Sequence, residues 1–302
     1  MDKKQVNSRN LVLDTIYRQT TNKVPRGELV LDDDIIKNNL QSKTVGFDER
    51  YEFINKFGLD IISLSPKYSK VEDFSIDCTE LDLNKWTKNT SLFTFVLLDG
   101  AFEFGLRSIG FAEFLSMIMN DPEETKEFIS KVEKLNIETA AKLADYGVDG
   151  IIIADDIAFR NGLMLHPESF RELFLPSLEN QVKAISERQM IPFFHSDGNY
   201  LAVIDDIINS GFKGIHCIDK KCDVTLRALK PYADKICLWG HLDVDDLNLS
   251  DDPIVMNRLI KDISDNTEFN GFILGTNSGL FTGMDVNKLN NMYKNVDIIN
   301  MK

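Results

Sequence analysis

A chain of 302 residues with 43% apolar and 27% charged side chains carries enough hydrophobic material for a sizeable core. Its length suits an α/β barrel, which commonly runs to roughly 250 residues or more. The formal charge of −14 argues against a nucleic-acid partner, whose phosphates need clustered Lys and Arg, and no run approaches the roughly 20 apolar residues of a membrane span. The polar opening Met1-Asp2-Lys3-Lys4 has no apolar stretch of the kind a secretory signal needs. Four unclustered cysteines, Cys78, Cys217, Cys222 and Cys237, predict reduced thiols and a cytoplasmic protein. Cys217-x4-Cys222 is too weak a pattern to define a metal site.

In chain order, a helix is expected over residues 7–20, placed at the bottom of the barrel. Short apolar runs then alternate with helical stretches. The strands are expected at 24–31, 58–64, 92–99, 148–155, 190–196, 213–219, 235–240 and 271–276. Most are nearly continuous apolar runs, as parallel strands buried on both faces require. Asp121-Pro122-Glu123-Glu124 supplies a cap, a first-turn proline and acidic residues ahead of a helix over 125–146. His166-Pro167-Glu168-Ser169 opens 170–188 in the same way, and later helices fall at 199–209, 223–230, 253–263 and 285–299. Eight strands alternating with helices favour a closed (β/α)8 TIM barrel over an open doubly wound sheet. The expected organisation is one domain over 1–302, with 1–20 as an amino-terminal helical extension. No Gly-x-Gly-x-x-Gly follows the first strand, which weakens a dinucleotide-binding reading.

Barrel active sites assemble at the carboxyl ends of the strands. Those ends carry Glu28, Asp99, Asp155 with Asp156, His195 with Asp197, His216 with Asp219, His241 with Asp243, and Asn277 with Ser278. The run Phe193-Phe194-His195-Ser196-Asp197-Gly198-Asn199 stands out, because an apolar strand ends abruptly in a polar cluster that is costly to bury without a task or partners. His195 and Asp197 share one face of a continuing strand. Their spacing suits two ligands of a metal site or a hydrogen-bonded imidazole–carboxylate pair. Plainer roles compete at each position: one of Asp155 and Asp156 can cap a turn, and Asp243 can cap a helix. His216 can be a satisfied core histidine, Asp219 a solvated loop residue, and His166 a structural helix start. Glu28 resists such a reading, because an unpaired carboxylate inside an apolar strand is expensive.

These segments resemble the uroporphyrinogen decarboxylase superfamily. The resemblance rests on Pro25-Arg26-Gly27-Glu28, Asp99-Gly100-Ala101-Phe102-Glu103, Gly150-Ile151-Ile152-Ile153-Ala154-Asp155-Asp156, Phe194-His195-Ser196-Asp197-Gly198-Asn199, Trp239-Gly240-His241-Leu242-Asp243 and Gly271-Phe272-Ile273-Leu274-Gly275-Thr276. It covers roughly residues 7–296 and itself implies a (β/α)8 barrel. The decarboxylases carry Arg-Gln-Ala-Gly-Arg near the amino terminus and a late Asn-Leu-Gly-His-Gly. Here those places hold Val24-Pro25-Arg26-Gly27-Glu28 and Thr276-Asn277-Ser278-Gly279, so cationic partners for a polycarboxylate are missing. The second branch resembled is the cobalamin-dependent methyltransferases. Their zinc-dependent, thiol-methylating members use His-x-Cys and a distant Cys, where this chain has His195-Ser196-Asp197 and Ser278. A His with oxygen ligands can still hold zinc, but thiolate activation is put in doubt.

The resemblance thus implies methyl transfer between a small methylated substrate and a corrinoid (cobalamin) cofactor presented by a corrinoid protein. His195, Asp197, Asp155 and Glu28 are the expected catalytic residues. Asp156, His216, Asn277 and Ser278 are expected to bind substrate, and His195 with Asp197 to hold a metal such as zinc. The alternatives are a decarboxylase or lyase acting on a carboxylated substrate, and a non-catalytic barrel that binds a corrinoid or a partner.

Overall fold

A computed structural model describes residues 7–300, apart from 20, 22, 69–73, 250, 268 and 269. Seven parallel strands neighbour one another in the order in which the chain makes them. They are β1 (Ile61–Leu64), β2 (Phe93–Asp99), β3 (Gly150–Ala154), β4 (Ile191–His195), β5 (Gly214–His216), β6 (Cys237–Leu242) and β7 (Phe272–Thr276). Parallel neighbours need crossover connections, and helices fill them. The longest, Pro122–Asp145, opens as its sequence dictates, with Pro122 in the first turn and the Asp121 carboxylate accepting from Glu124 N–H at 2.9 Å. Among the described residues, no helix is long and apolar enough to cross a membrane.

Side chains alternate across the sheet with the period of two that strands impose. Ile61, Phe93, Phe95, Ile152, Ile191, Phe193, Trp239 and Ile273 form one apolar cluster inside the curled sheet. Their chain neighbours Ile62, Val96, Ile151, Ile153, Phe194 and Leu238 belong to a larger cluster shared with the helices. Aromatic rings fill the interior: Phe95 lies 4.9 Å from Phe193 and 5.7 Å from Trp239, centroid to centroid. The sheet therefore encloses a packed core rather than a channel, which leaves its two ends for polar chemistry.

At the amino ends of the strands lies the helix Ser8–Ile16. Val12 and Ile16 join the interior cluster. Ser8 Oγ donates to Asp60 at 2.7 Å, and Arg9 pairs with Asp149 at 2.9 Å, each carboxylate immediately preceding a strand. Thr20, the last residue of the expected helix, lies outside the described residues.

The segment expected as the first strand, 24–31, closes the ring between β1 and β7 without becoming a regular strand. Asp60 N–H donates to Arg26 O at 2.7 Å on one side; Leu274 N–H to Pro25 O and Gly27 N–H to Leu274 O, at 2.9 and 3.0 Å, join it to β7. The ladder then stops for two chemical reasons. The next acceptor, Gly27 O, takes the Trp239 indole N–H at 3.0 Å, and the next donor, Thr276 N–H, goes to the Glu28 carboxylate at 3.1 Å. Contact resumes where Leu280 N–H donates to Val30 O at 2.8 Å.

Several elements are shorter than expected, the first helix ending at Ile16 and the strand expected over 213–219 spanning only Gly214–His216, and two further differences change the surroundings of the site. The helix expected over 170–188 contains a π-turn, Phe170–Phe174, before Leu175–Glu187, because Pro176 has no N–H for a continuous α-helical ladder. The strand expected to end at Gly240 runs on to Leu242, with Gly240 and His241 both at positive φ (124° and 92°). His241 is consequently buried, its Nε2 3.4 Å from Asp262 Oδ2 on the helix Pro253–Thr267.

Candidate active site

Register brings the site together. Ala154, His195 and His216 stand level across β3, β4 and β5, so the residues after them emerge side by side at the carboxyl end. Asp155 N–H donates to His195 O at 2.8 Å and Ser196 N–H to His216 O at 3.0 Å, extending the ladder by one step. Beyond that step the chain reverses. Ser196 Oγ donates to Asp197 O at 2.8 Å and accepts from Ile157 N–H at 3.2 Å. Gly198, at φ +80°, passes so close to the Ala158–Phe159 backbone that an added Cβ would meet Ala158 O at 2.4 Å, so only glycine makes this turn unstrained.

The turn presents Asp156, His195 and Asp197 as one group, their donor atoms all within 4.8 Å of one another. His195 Nε2 lies 3.6 Å from Asp156 Oδ1 and 4.0 Å from Asp197 Oδ1, while Asp197 N–H fixes Asp156 Oδ1 with a 2.8 Å hydrogen bond. Ligands about 2.0–2.1 Å from a tetrahedral zinc lie roughly 3.4 Å apart. The His195–Asp156 separation nearly meets that spacing and the Asp197 carboxylate must move inward, so one nitrogen and two carboxylate oxygens can converge on a divalent ion. Burial raises the Asp197 carboxyl, His195 lowers it and the Asp156 charge raises it again. The Cys217 thiol hydrogen-bonds to Asp197, and burial followed by the Asp197 and Asp219 charges holds it well above the usual thiol range.

Behind this group the other face of His195 meets His216, Nδ1 to Nδ1, at 2.9 Å. His216 is wholly buried against the Trp239 ring, and its Nε2 lies 3.2 Å from Thr276 O. Burial and then the neighbouring His195 hold His216 well below the ordinary imidazole range, so the ring is neutral. Thr276 N–H and Oγ1–H donate to Glu28, as does Tyr293 O–H from the carboxy-terminal helix Val286–Asn300. Burial raises Glu28 to about 7 against the opposing pull of these three donors. Glu28 thus clasps the closing segment to β7 and the last helix, and reaches the histidine pair only through the Thr276 peptide.

A second carboxylate group lies beside the first. Asp155 turns away from His195 and caps the helix Ala101–Ser108, its Oδ1 accepting from Glu103 N–H at 2.8 Å. Gly100 is needed there, because an added Cβ would lie 2.2 Å from Asp155 Cγ. Full burial raises Asp155 well above the carboxylate range, against the pull of the Glu103 N–H. Asp99 forms an ion pair with Arg107, whose guanidinium lies 4.0 Å above the Tyr68 ring, and burial still raises Asp99 to about 6. Glu103 is raised to about 7, first by burial and then by the Asp156 and Asp99 charges, outweighing the pull of Arg107. Acid groups thus gather around the Arg107 guanidinium, and a bound cation would relieve their mutual repulsion.

Of the residues expected at the site, the structure unites His195, Asp197 and Asp156, with His216 directly behind. Asp155 and Glu28 point elsewhere, as described. Asn277 and Ser278 are half-buried in the loop after β7; Asn277 N–H donates to Leu242 O at 3.0 Å, and neither side chain hydrogen-bonds to the triad. Asp243 caps a helix by accepting from Asp245 N–H at 2.7 Å, and His166 does the same for Glu168 N–H at 3.3 Å. Sequence reasoning missed Glu103 and Cys217. Asp99-x3-Glu103 carried the signal for the first, since a strand-end acid and an acid in the following first helical turn face one mouth.

The fold and the cluster define a barrel with an acid–imidazole site at the carboxyl ends of its strands. A family model for uroporphyrinogen decarboxylase (URO-D) matches residues 102–298, and the chain belongs to that family. No curated protein matches the chain in sequence. Among solved structures, a methyltransferase from Methanosarcina mazei superposes with a TM-score of 0.74 at 13% identity, covering 98% of this chain and 99% of that one. A putative vitamin-B12 independent methionine synthase from Listeria monocytogenes gives 0.55 at 13% identity, covering 94% and 97%. A D-psicose 3-epimerase gives 0.52 at 10% identity, covering 84% and 92%. At identities this low, these likenesses show the barrel fold alone.

Proposed function

We propose that the chain is a methyltransferase that moves a methyl group between a small methylated substrate and a corrinoid cofactor held by a separate protein. The observation that carries this reading is the convergence of Asp156, His195 and Asp197 at the mouth of a URO-D-family barrel. Four free cysteines suit a reducing cytoplasm, where such a reaction would take place.

Methyl transfer from an ether or amine requires the departing oxygen or nitrogen to gain a proton or a Lewis acid. His195 Nε2 and one oxygen each from Asp156 and Asp197 would hold a divalent ion such as zinc, which would supply that Lewis acidity when bound. The corrinoid on its carrier protein would supply the cobalt that accepts or donates the methyl group. Glu103, which burial raises to about 7, is part-protonated at neutral pH beside the same carboxylates and would donate that proton to the leaving heteroatom. Asp155 serves indirectly by capping the helix that carries Glu103, and Glu28 by anchoring Thr276 behind the histidine pair. Asn277 and Ser278 border the mouth as candidate substrate contacts.

The test is incubation with cob(I)alamin and a panel of methoxylated and N-methylated compounds, following methylcobalamin by absorbance. Methylcobalamin formed by the wild type and lost in His195→Ala supports the reading. No methylcobalamin across the panel, together with no demethylation of methylcobalamin by thiols or folates, overturns it. Carbon dioxide released without cobalamin would identify a lyase instead.

A further inference from the structure

Thr276 O, a carbonyl oxygen, can only accept, so the His216 Nε2 facing it at 3.2 Å carries a proton. Each neutral imidazole has one N–H, which leaves His216 Nδ1 bare. That bare nitrogen meets His195 Nδ1 at 2.9 Å, and two bare nitrogens at that distance would repel. The proton between the rings therefore belongs to His195. A second proton on His216 would create a buried cation whose ring partners, among the described residues, are Trp239, His195 and a carbonyl.

We propose that His216 is a positioning residue that locks His195 in its Nδ1–H tautomer, so that the lone pair of His195 Nε2 faces Asp156 and Asp197. This assigns His216 to orientation rather than to substrate binding, and it deepens the metal-site reading on which its purpose rests. A histidine ligand needs its metal-facing nitrogen unprotonated, and a partner on the other nitrogen fixes both tautomer and ring plane. An imidazole that accepts from a ligand histidine is set here by a main-chain carbonyl two strands away. Thr276 is in turn held by Glu28, so the order of the last strand is passed to the site through hydrogen bonds of fixed direction.

The tautomer is readable without metal or turnover. Long-range nitrogen–proton correlation spectra of metal-free protein, with His195 assigned by its loss in His195→Gln, should show His195 protonated at Nδ1 and bare at Nε2. His216→Phe removes the acceptor and should shift His195 toward the Nε2–H form. It should also weaken cobalt(II) or zinc binding by about 10–100-fold, the usual effect of losing such a partner. His216→Gln retains an amide oxygen for His195 and an amide N–H for Thr276 O, and should restore both readouts. An Nε2–H His195 in the wild type, or a tautomer unchanged in a folded His216→Phe, overturns the proposal. Both results can be read even if the protein transfers no methyl group, which separates this failure from failure of the functional reading.

Discussion

Replacing Glu28 by Gln tests how the closing segment is held. The carboxyl is 1% exposed and its pKa stands at about 7 against 4.5. The folded-state pKa lies above the unfolded one, so the folded protein binds this proton more tightly. Its contribution is therefore fully present below pH 4.5 and declines as pH rises toward about 7, beyond which it changes no further. At about 1.4 kcal/mol per pKa unit, the shift amounts to about 3 kcal/mol. Glu28→Gln removes that titration, while its amide can still accept from Thr276 and donate to the Tyr293 oxygen. Urea unfolding of both proteins between pH 4 and 8 should give a stability difference, wild type minus variant, that falls by about 3 kcal/mol across this interval. Other buried acids, such as Asp155, contribute equally to both proteins and cancel. A pH-independent difference would refute the reasoning. A difference that grows with pH would show that the three donors, rather than burial, set the energy of the carboxylate.

Two further variants test the pocket. Glu103→Gln removes an acid that is neutral below about 7 and anionic above it. Wild-type affinity for a divalent ion should gain on the variant as pH rises through that value, by up to about tenfold at pH 8, with little difference at pH 5.5; calorimetric zinc titrations at both pH values decide it. Asp197→Cys restores a soft ligand beside His195 and should raise zinc affinity by tenfold or more while weakening manganese binding, as competition titrations will show.

The alternation of apolar strands with capped helices made the barrel legible, because burial on both faces writes itself into composition. The mouth was legible only in part. His195 and Asp197 declared themselves as polar residues ending the strand Phe193-Phe194, but a sequence cannot say which of two adjacent acids turns inward. Asp155 points to the helix Ala101–Ser108 and Asp156 to His195, a choice made by the turn after β3 and the approach of Gly100. An unpaired Glu28 is expensive to bury, yet its partners Thr276 and Tyr293 lie more than 240 residues away along the chain. The regular strand expected around it failed because side chains took the ladder positions: Trp239 the Gly27 carbonyl and Glu28 the Thr276 N–H. His241 lies within β6 rather than after it, with Gly240 and His241 both at positive φ, which strand periodicity does not reveal.

Metal binding tests most directly whether Asp156, His195 and Asp197 form a ligand set. Calorimetric titration of metal-stripped protein with zinc should give one ion per chain, with affinity reduced at least about a hundredfold in a folded His195→Ala. No uptake by the wild type, or the same stoichiometry and affinity in His195→Ala, would contradict it.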